Sequence, residues 1–232
     1  MLRPLVFALA LVFCGGGLVG EAAEVALERL PLFEAFSPGW RERWREQSLF
    51  SKPTRYDVVT DGGVPVLHAI SQSANAGLVR EVVRVAPTDA RLHWRWKVRS
   101  SLAGNTRERE RAGDDYAARV FVVFETSLNP LRTRAINYVW AATEKTGAMF
   151  ASPYTKSVGI VVLRSGDGEA GGWRDESRDV LADYRAFFGE PAKKISAVAV
   201  LVDTDNTKRE AEAWFADLVL ETHAAAAGKR AP

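Results

Sequence analysis

The fold is decided by one alternating stretch, Leu92-His93-Trp94-Arg95-Trp96-Lys97-Val98-Arg99. Its apolar side chains stand at every second position, and basic side chains stand between them. Because successive side chains of a β-strand point to opposite faces of a sheet, the stretch predicts a half-buried strand. Its two indoles are thereby predicted to lie inside the protein.

Eight further segments have strand character: 55–59, 64–71, 78–85, 117–125, 135–142, 157–164, 196–203 and 213–221. The turn sequence Asp61-Gly62-Gly63 predicts a hairpin between the first two of them, since glycine adopts a positive φ without steric cost. Helix is predicted over 177–188, with Ser177 as N-cap and Gly189 as the stop. Residues 34–47 read either as an interrupted helix or as a loop whose Trp40 and Trp44 pack under the sheet.

A run of strands with helices only at its edges is typical of a sandwich and not of alternating βα units. The predicted fold class is therefore all-β: an antiparallel β-sandwich of the jelly-roll, carbohydrate-binding-like type, with one or two peripheral helices. The domain is predicted over residues 23–222, followed by a disordered tail over 223–232 that has little apolar bulk.

Residues 1–22 have the pattern of a secretory signal peptide. Arg3 gives a positive start, an apolar run follows, and small residues precede Ala23. The apolar run is too short to span a bilayer, so no stable membrane anchor is expected after cleavage. The predicted location is periplasmic or secreted. The single cysteine of the chain, Cys14, lies in this segment, so no disulfide within the chain can form.

The net charge is +2, and it stays +2 after cleavage because Arg3 and Glu21 leave together. A surface this balanced lacks the basic patch that nucleic-acid binding requires, so no nucleic-acid partner is expected. The sequence also lacks the common motifs of nucleophilic, metal-dependent and nucleotide-binding enzymes. No catalytic residue is assigned.

Carboxylates at strand ends are the better candidates for function. Asp114 and Asp115 precede the strand that carries Arg119, and Asp203 and Asp205 follow another strand. Oxygen ligands at this density suit calcium, with Asp203, Asp205 and Asn206 as candidate ligands. Alternatively, these residues form turns that shape the loop. The EF-hand pattern is absent, because Lys208 stands at its glycine position.

A charged run and two tryptophans also bear on possible ligand contact. The charged run over 107–111 predicts a solvated, mobile loop. Among the seven tryptophans, Trp140 and Trp173 are the two whose positions leave contact with a ligand open, although burial in the core is the commoner use of an aromatic side chain.

The chain resembles a bacterial family known as domain of unknown function 3047. The resemblance lies in Trp173 and in residues 92–98, 113–119, 137–140, 152–155, 176–180, 183–184 and 203–207, which span most of the chain between 30 and 220. It implies a secreted bacterial protein and leaves the activity open. Lys208 departs from the family pattern, in which glycine is expected after the Asp-Thr-Asp-Asn-Thr run.

These observations predict a secreted, non-catalytic protein that binds a polar ligand, most plausibly a saccharide. The predicted ligand-binding residues are Asp114, Asp115, Arg119, Asn137, Trp140, Tyr154, Glu176, Asp203 and Asp205. One alternative is an envelope carbohydrate hydrolase that uses paired carboxylates. Another is an envelope scaffold protein in which the same polar residues form a buried structural network. No cofactor is required by any of these, although calcium fits the acidic loop.

Overall fold

A computed structural model describes residues 27–32, 39–48, 52–85, 88–125 and 133–223. The elements of the described residues are, in chain order, β1 (Leu27–Pro31), α1 (Trp40–Arg43), β2 (Arg45–Ser48), β3 (Arg55–Asp61), β4 (Val64–Gln72), β5 (Asn75–Val85), β6 (Asp89–Val98), β7 (Ala118–Glu125), β8 (Arg134–Ala141), β9 (Met149–Ala151), β10 (Val158–Ser165), β11 (Arg174–Asp179), α2 (Val180–Phe188), β12 (Lys194–Asp203) and β13 (Glu210–His223). The predicted signal segment lies outside the described residues.

The strands form two sheets that pack face to face. Sheet A has the order β11-β6-β13-β4-β3, and β1 pairs with the second half of β13. Sheet B has the order β2-β5-β12-β7-β8-β10-β9. The predicted all-β sandwich is confirmed, and all nine predicted strands are present. The strands β1, β2, β9 and β11 were not predicted, because they are short or carry almost no apolar alternation.

One strand pair departs from the predicted antiparallel arrangement. β10 pairs with β8 in parallel, with Val158 beside Ala135 and Val161 beside Tyr138. The connection over 142–157 makes this possible, because it crosses back and adds β9 antiparallel to β10. Parallel neighbours require a crossover of about a dozen residues or more, and this connection provides it.

The two predicted helices are shorter than expected. α2 begins at Val180, and its N-cap is Asp179, whose side chain accepts a hydrogen bond from the Ala182 amide. Residues 177–179 instead end β11, because that strand pairs with β6 over its whole length. The predicted stop is confirmed, since Gly189 has φ 76°. In the described part of the first region, residues 39–47, the helix is α1, and Trp44 is buried against the core, as in the loop alternative.

The core lies between the sheets and is rich in aromatic side chains. The largest fully buried ones include Trp94, Trp96, Trp140, Tyr138 and Phe215. The first two are the indoles of the alternating stretch, and they meet edge to face at 5.6 Å. The predicted hairpin is also confirmed, because Gly62 and Gly63 both have positive φ between β3 and β4.

β13 extends to His223, one residue into the segment predicted as a tail, and the His223 amide donates to Asp89. Residues 224–232 lie outside the described residues. Among the described helices, none is long and apolar enough to cross a membrane.

Candidate functional site

The strand registers of sheet B arrange its outward side chains in rows across the sheet. One row runs through Val79, Ala199, Phe121 and Asn137 to Ile160. The next row runs through Gly77, Leu201, Arg119 and Val139 to Val162. Residues 100–117 and the segment around β9 cover the end of the face that includes Arg119. None of the described residues covers the other end of the face, which is called the open end below.

The covering loop is held in place by Glu108, which is only 1% exposed. Its carboxylate accepts hydrogen bonds from the amides of Ala142, Thr143 and Glu144 at 2.7, 2.9 and 2.8 Å. A buried carboxylate with three amide donors fixes the chain firmly. The prediction of a solvated, mobile loop over 107–111 is therefore wrong at Glu108. Alternating charge does not reveal which carboxylate will turn inward.

Beneath this loop lies an acidic network, formed by Asp114, Asp115, Arg119, Asp203 and Asp205. Arg119 donates to both carboxylate oxygens of Asp203, from Nε at 2.8 Å and from Nη2 at 2.7 Å. Its Nη2 also lies 3.2 Å from the Asp114 carboxylate and donates to the Asp114 carbonyl. The bidentate geometry is the one that a guanidinium and a carboxylate prefer. Arg119 is thereby fixed from two directions.

Asp115 connects the network to the loop between β12 and β13. Its carboxylate accepts hydrogen bonds from the Asn206 amide at 3.2 Å and the Thr207 amide at 2.5 Å. The Asn206 side chain donates to the same carboxylate at 3.0 Å. Tyr154 completes the connection, because its hydroxyl donates to Asn206 Oδ1 at 2.7 Å. The loop is therefore shaped by hydrogen bonds within the protein.

The acidic network carries excess negative charge in a buried place. Burial, together with the nearby Asp115 and Asp114 carboxylates, raises the pKa of Asp203 to about 7 against the opposing effect of Arg119. Burial likewise raises the pKa of Asp114. For Arg119, burial opposes the charge, but Asp203 and Asp114 outweigh it and the pKa rises. One guanidinium cannot balance several buried carboxylates, so a proton or a cation must compensate.

A cation would find hard oxygen ligands here. Asp115, Asp203 and Asp205 each place a carboxylate oxygen within 4.8 Å of the others. The set differs from the predicted one, because Asp115 takes the place of Asn206, whose amide is committed to Asp115 and Tyr154. Three carboxylates fit calcium chemically, although calcium takes 6 to 8 oxygen ligands. Asp203 and Asp115 also already accept hydrogen bonds from protein donors.

The predicted site residues do not all converge. Asp114, Asp115, Arg119, Asp203, Asp205 and Tyr154 come together, and among them Tyr154 is the exposed member, at 46%. Glu176 lies elsewhere, where it accepts from Trp96 Nε1 at 3.0 Å and Arg164 Nε at 2.7 Å. Trp140 is fully buried between the sheets and donates to the Gly166 carbonyl. The prediction of one polar site formed by all nine residues is therefore corrected.

Asn137 lies between the acidic network and the open end of the same face. It lies on the outer face of sheet B, one row from Arg119, and is 1% exposed. Its Oδ1 has no hydrogen-bond partner in the described part of the chain. Its row continues through Phe121 and Ala199 toward the open end of the face.

The open end of this face forms a groove that sequence reasoning missed. The groove has a volume of about 660 Å³. Its floor is apolar and includes Gly77, Val79, Ala197, Ala199, Phe121 and Val123. Polar side chains at its border include Arg45, Gln47, Asn75, Glu81 and Lys194. The sequence did contain a sign of the groove. Ala197 and Ala199 alternate with larger residues in β12, and their small side chains leave space over the outer face of the sheet.

Comparison with known proteins places the chain in a family and gives no activity. No curated protein matches it. Similar solved structures include a family 29 carbohydrate-binding module, at 10% identity and a TM-score of 0.41, covering 86% of this chain and 92% of the other. Another is the K1 cleaved adhesin domain of Lys-gingipain from Porphyromonas gingivalis W83, at 12% identity and a TM-score of 0.43, covering 87% and 99%. The fold assignment rests on the strand pairing described above. A family model described as "Protein of unknown function (DUF3047)" matches residues 42–219, so the chain belongs to that family.

Proposed function

We propose that this protein is an exported, non-catalytic binding protein that holds a saccharide in the groove on the outer face of sheet B. The observation that carries the proposal is the groove itself, an open space of about 660 Å³ with an apolar floor and polar side chains at its border. Concave sites with an apolar lining and a few polar groups are the usual form of ligand sites.

The chemistry of the groove suits a sugar ring. The face of a pyranose is formed by C–H groups, and these pack on an apolar floor such as that of Phe121 and Ala199. The hydroxyl groups around the ring need donors and acceptors, which the amides of Gln47 and Asn75 supply. Asn75 is oriented by the hydrogen bond that its side-chain amide donates to Asp205 at 3.2 Å. This bond connects the groove, which Asn75 lines, to the acidic network, to which Asp205 belongs.

The hydrolase alternative is less well supported. A glycosidase needs two carboxyl groups about 5 to 9.5 Å apart across the substrate. Among the described residues that line the groove, Glu81 is the one that carries a carboxylate. Asp114, Asp115 and Asp203 are buried. Hydrolysis of a bound glycan by the wild type, lost in Glu81→Gln, would favour this alternative.

The acidic network itself fits the scaffold alternative, in which its residues have a structural role. Burial of Asp115 and Asp203 at 0% and 2% exposure is what a structural network requires. The network supports the loops that border the open half of sheet B, so a structural role there is compatible with binding in the groove. A scaffold without a sugar ligand would instead present the apolar floor to a protein.

Export is part of the proposal and is supported by the pattern of residues 1–22. Fractionation of the native host, followed by N-terminal sequencing of the purified protein, would test it. A protein that begins at Met1 and stays in the cytoplasm would contradict it.

Thermal unfolding against a panel of envelope and plant glycans tests binding. A specific ligand raises the midpoint by mass action. Ala199→Phe places a ring on the groove floor and should abolish the rise. Ser177→Phe adds the same ring on the outer face of sheet A and should leave the rise intact. If no glycan moves the midpoint, or if both variants behave alike, the groove is not a saccharide site.

A further inference from the structure

Two cations at the border of the groove lack partners. Arg45 and Lys194 both line it, and in the described part of the chain neither lies within ion-pair distance of a carboxylate. Elsewhere in the described chain, basic side chains commonly have such partners. Examples are Arg95 with Asp217 and Lys97 with Asp61, both at 2.6 Å. Other described cations without an ion pair, such as Lys145 and Lys156, lie outside the groove, so Arg45 and Lys194 are distinguished by lining it.

The two cations are far apart along the sheet. Arg45 pairs in register with Val79 of β5, and Lys194 pairs with Val85 of the same strand. Six residues of a strand extend about 20 Å at about 3.3 Å per residue. A single small anion cannot reach both, whereas an elongated ligand along β5 can.

Glu81 lies between the two cations on the same strand and also lines the groove. A carboxylate there repels a ligand with charge at every position, such as a nucleic acid or a polyphosphate. It accepts hydrogen bonds from hydroxyl groups. Along β5 the groove thus has the amides of Gln47 and Asn75 at one end, Arg45 and Glu81 in its middle and Lys194 at the other end. The balanced net charge of +2 agrees with a ligand that is only partly charged.

From this arrangement we infer that the ligand of the groove is an acidic oligosaccharide, of the class that carries uronic acid carboxylates, held by Arg45 and Lys194 at separate sugar units. The inference rests on the proposed function and names the class of its ligand. Arg45 offers a planar fork of donors that fits a carboxylate, and Lys194 offers a compact positive charge.

Titration calorimetry with two probes of equal length tests the inference: an acidic hexamer in which glucuronic acid alternates with N-acetylglucosamine, so that every second unit is charged, and a neutral N-acetylglucosamine hexamer. At low salt the wild type should bind the acidic hexamer about tenfold more tightly, as two partly exposed ion pairs would give. The preference should shrink at 200 mM NaCl (about 7 Å Debye length), because salt screens exposed charges. Arg45→Gln and Lys194→Gln should each lower the preference about threefold.

Two further variants serve as controls. Arg55→Gln removes an exposed cation from β3 of sheet A and should leave the preference unchanged. Glu81→Gln removes the repelling carboxylate and should tighten binding of the acidic hexamer.

The outcomes separate the two proposals. If the neutral hexamer binds as tightly as the acidic one, or if the preference survives loss of both cations, the inference is overturned. The proposed function then still stands, provided that Ala199→Phe abolishes the binding. If neither hexamer binds, and the glycan panel is also negative, both proposals fail.

Discussion

The two outer faces of the sandwich differ in how their charges are satisfied. On sheet A, three basic side chains of β6 have acidic partners: His93 with Glu221, Arg95 with Asp217 and Lys97 with Asp61. Arg99, just after the strand, pairs with Glu212, and Arg91 donates to the Ser177 hydroxyl. On sheet B, the open half of the face is an apolar groove bordered by two unpaired cations. The difference teaches that abundant charge leaves few groups free for a ligand when each charge has a partner within the protein, which is why the proposed ligand site lies on sheet B.

The tryptophans of sheet A illustrate the same point. Trp214 stacks on His68 at 4.8 Å, and the Lys97 ammonium lies 4.4 Å from its ring. Trp173, predicted to be open for ligand contact, lies near Lys97 and Arg95 at 5.3 and 5.1 Å and donates to Asp61. These rings already take part in cation–π contacts within the protein, which are typically worth about 0.5–1 kcal/mol at exposed sites.

The largest expected effect contrasts a buried cation of sheet B with a surface cation of sheet A. Arg119→Ala leaves Asp203 and Asp114 without their partner, so we expect a loss of about 3–5 kcal/mol in the free energy of unfolding. Arg95→Ala removes a partly exposed pair and should cost about 1 kcal/mol or less. Urea unfolding at pH 7 measures both. Equal losses would show that the buried network is no more important than the surface pairs.

The next effect concerns pH. The pKa of Asp203 rises from 3.8 to about 7 on folding, so the folded state binds more protons between these values. Its contribution to stability is complete below about pH 4 and is lost as the pH rises through 7. Carboxylates with lowered pKa, such as Asp61 and Glu169, give the opposite slope at lower pH.

The comparison is therefore made between wild type and Asp203→Asn. Between pH 4 and pH 7, the wild type should lose up to about 4 kcal/mol relative to the variant, at roughly 1.4 kcal/mol per pKa unit. Denaturant unfolding across this range measures it. Asp217→Asn on sheet A serves as the control and should follow the wild-type slope. Parallel curves for wild type and Asp203→Asn would contradict the raised pKa.

A smaller effect is expected in the loop that connects the two sheets. Lys208 has φ 59°, a left-handed conformation in which a Cβ atom is strained. Lys208→Gly should therefore raise the free energy of unfolding by about 1 kcal/mol. Glu210→Gly, two residues later in β13, should lower it by a similar amount, about 0.5–1 kcal/mol. Thermal unfolding measures the direction of both changes in stability. Destabilisation by Lys208→Gly would show that the backbone at Lys208 is not strained.

The smallest expected effect concerns calcium. Asp115 and Asp203 accept hydrogen bonds from the protein, and Asp203 has a pKa near neutrality, so a proton can balance the excess charge. We therefore expect calcium, compared with a chelator, to move the midpoint by less than about 1 °C at pH 6. A larger rise that disappears in Asp205→Asn would establish a cation site formed by Asp115, Asp203 and Asp205.

Much of the fold could be predicted from the sequence, because apolar and polar residues alternate along a half-buried strand and this pattern is visible in neighbouring residues. The stretch from Leu92 to Arg99 and the glycine pair at 62 and 63 are examples. β11 could not be predicted in this way. Its sequence, Arg-Asp-Glu-Ser-Arg-Asp, has no apolar face, and it becomes a strand because β6 offers a free edge beside it.

The candidate site was predictable in part. Asp114, Asp115, Arg119 and Asp203 stand out as charges next to strands, and they do meet. The sequence left their burial as one of two alternatives and could not decide it, since burial depends on the loop that Glu108 anchors over them. Trp140 shows the reverse case, because its ring and that of Tyr138 are buried between the sheets, whereas only the nearby Asn137 lies on the outer face.

By itself the sequence determined the class of fold, most of the strands and the family, because these depend on patterns within short segments. The tertiary structure alone decided which charges are paired, which carboxylates are buried and where a groove opens. Arg45 lies on β2, Glu81 on β5 and Lys194 on β12, and only the pairing of these three strands brings them to one face. Long-range pairing is a property of the whole sheet, so no local pattern contains it.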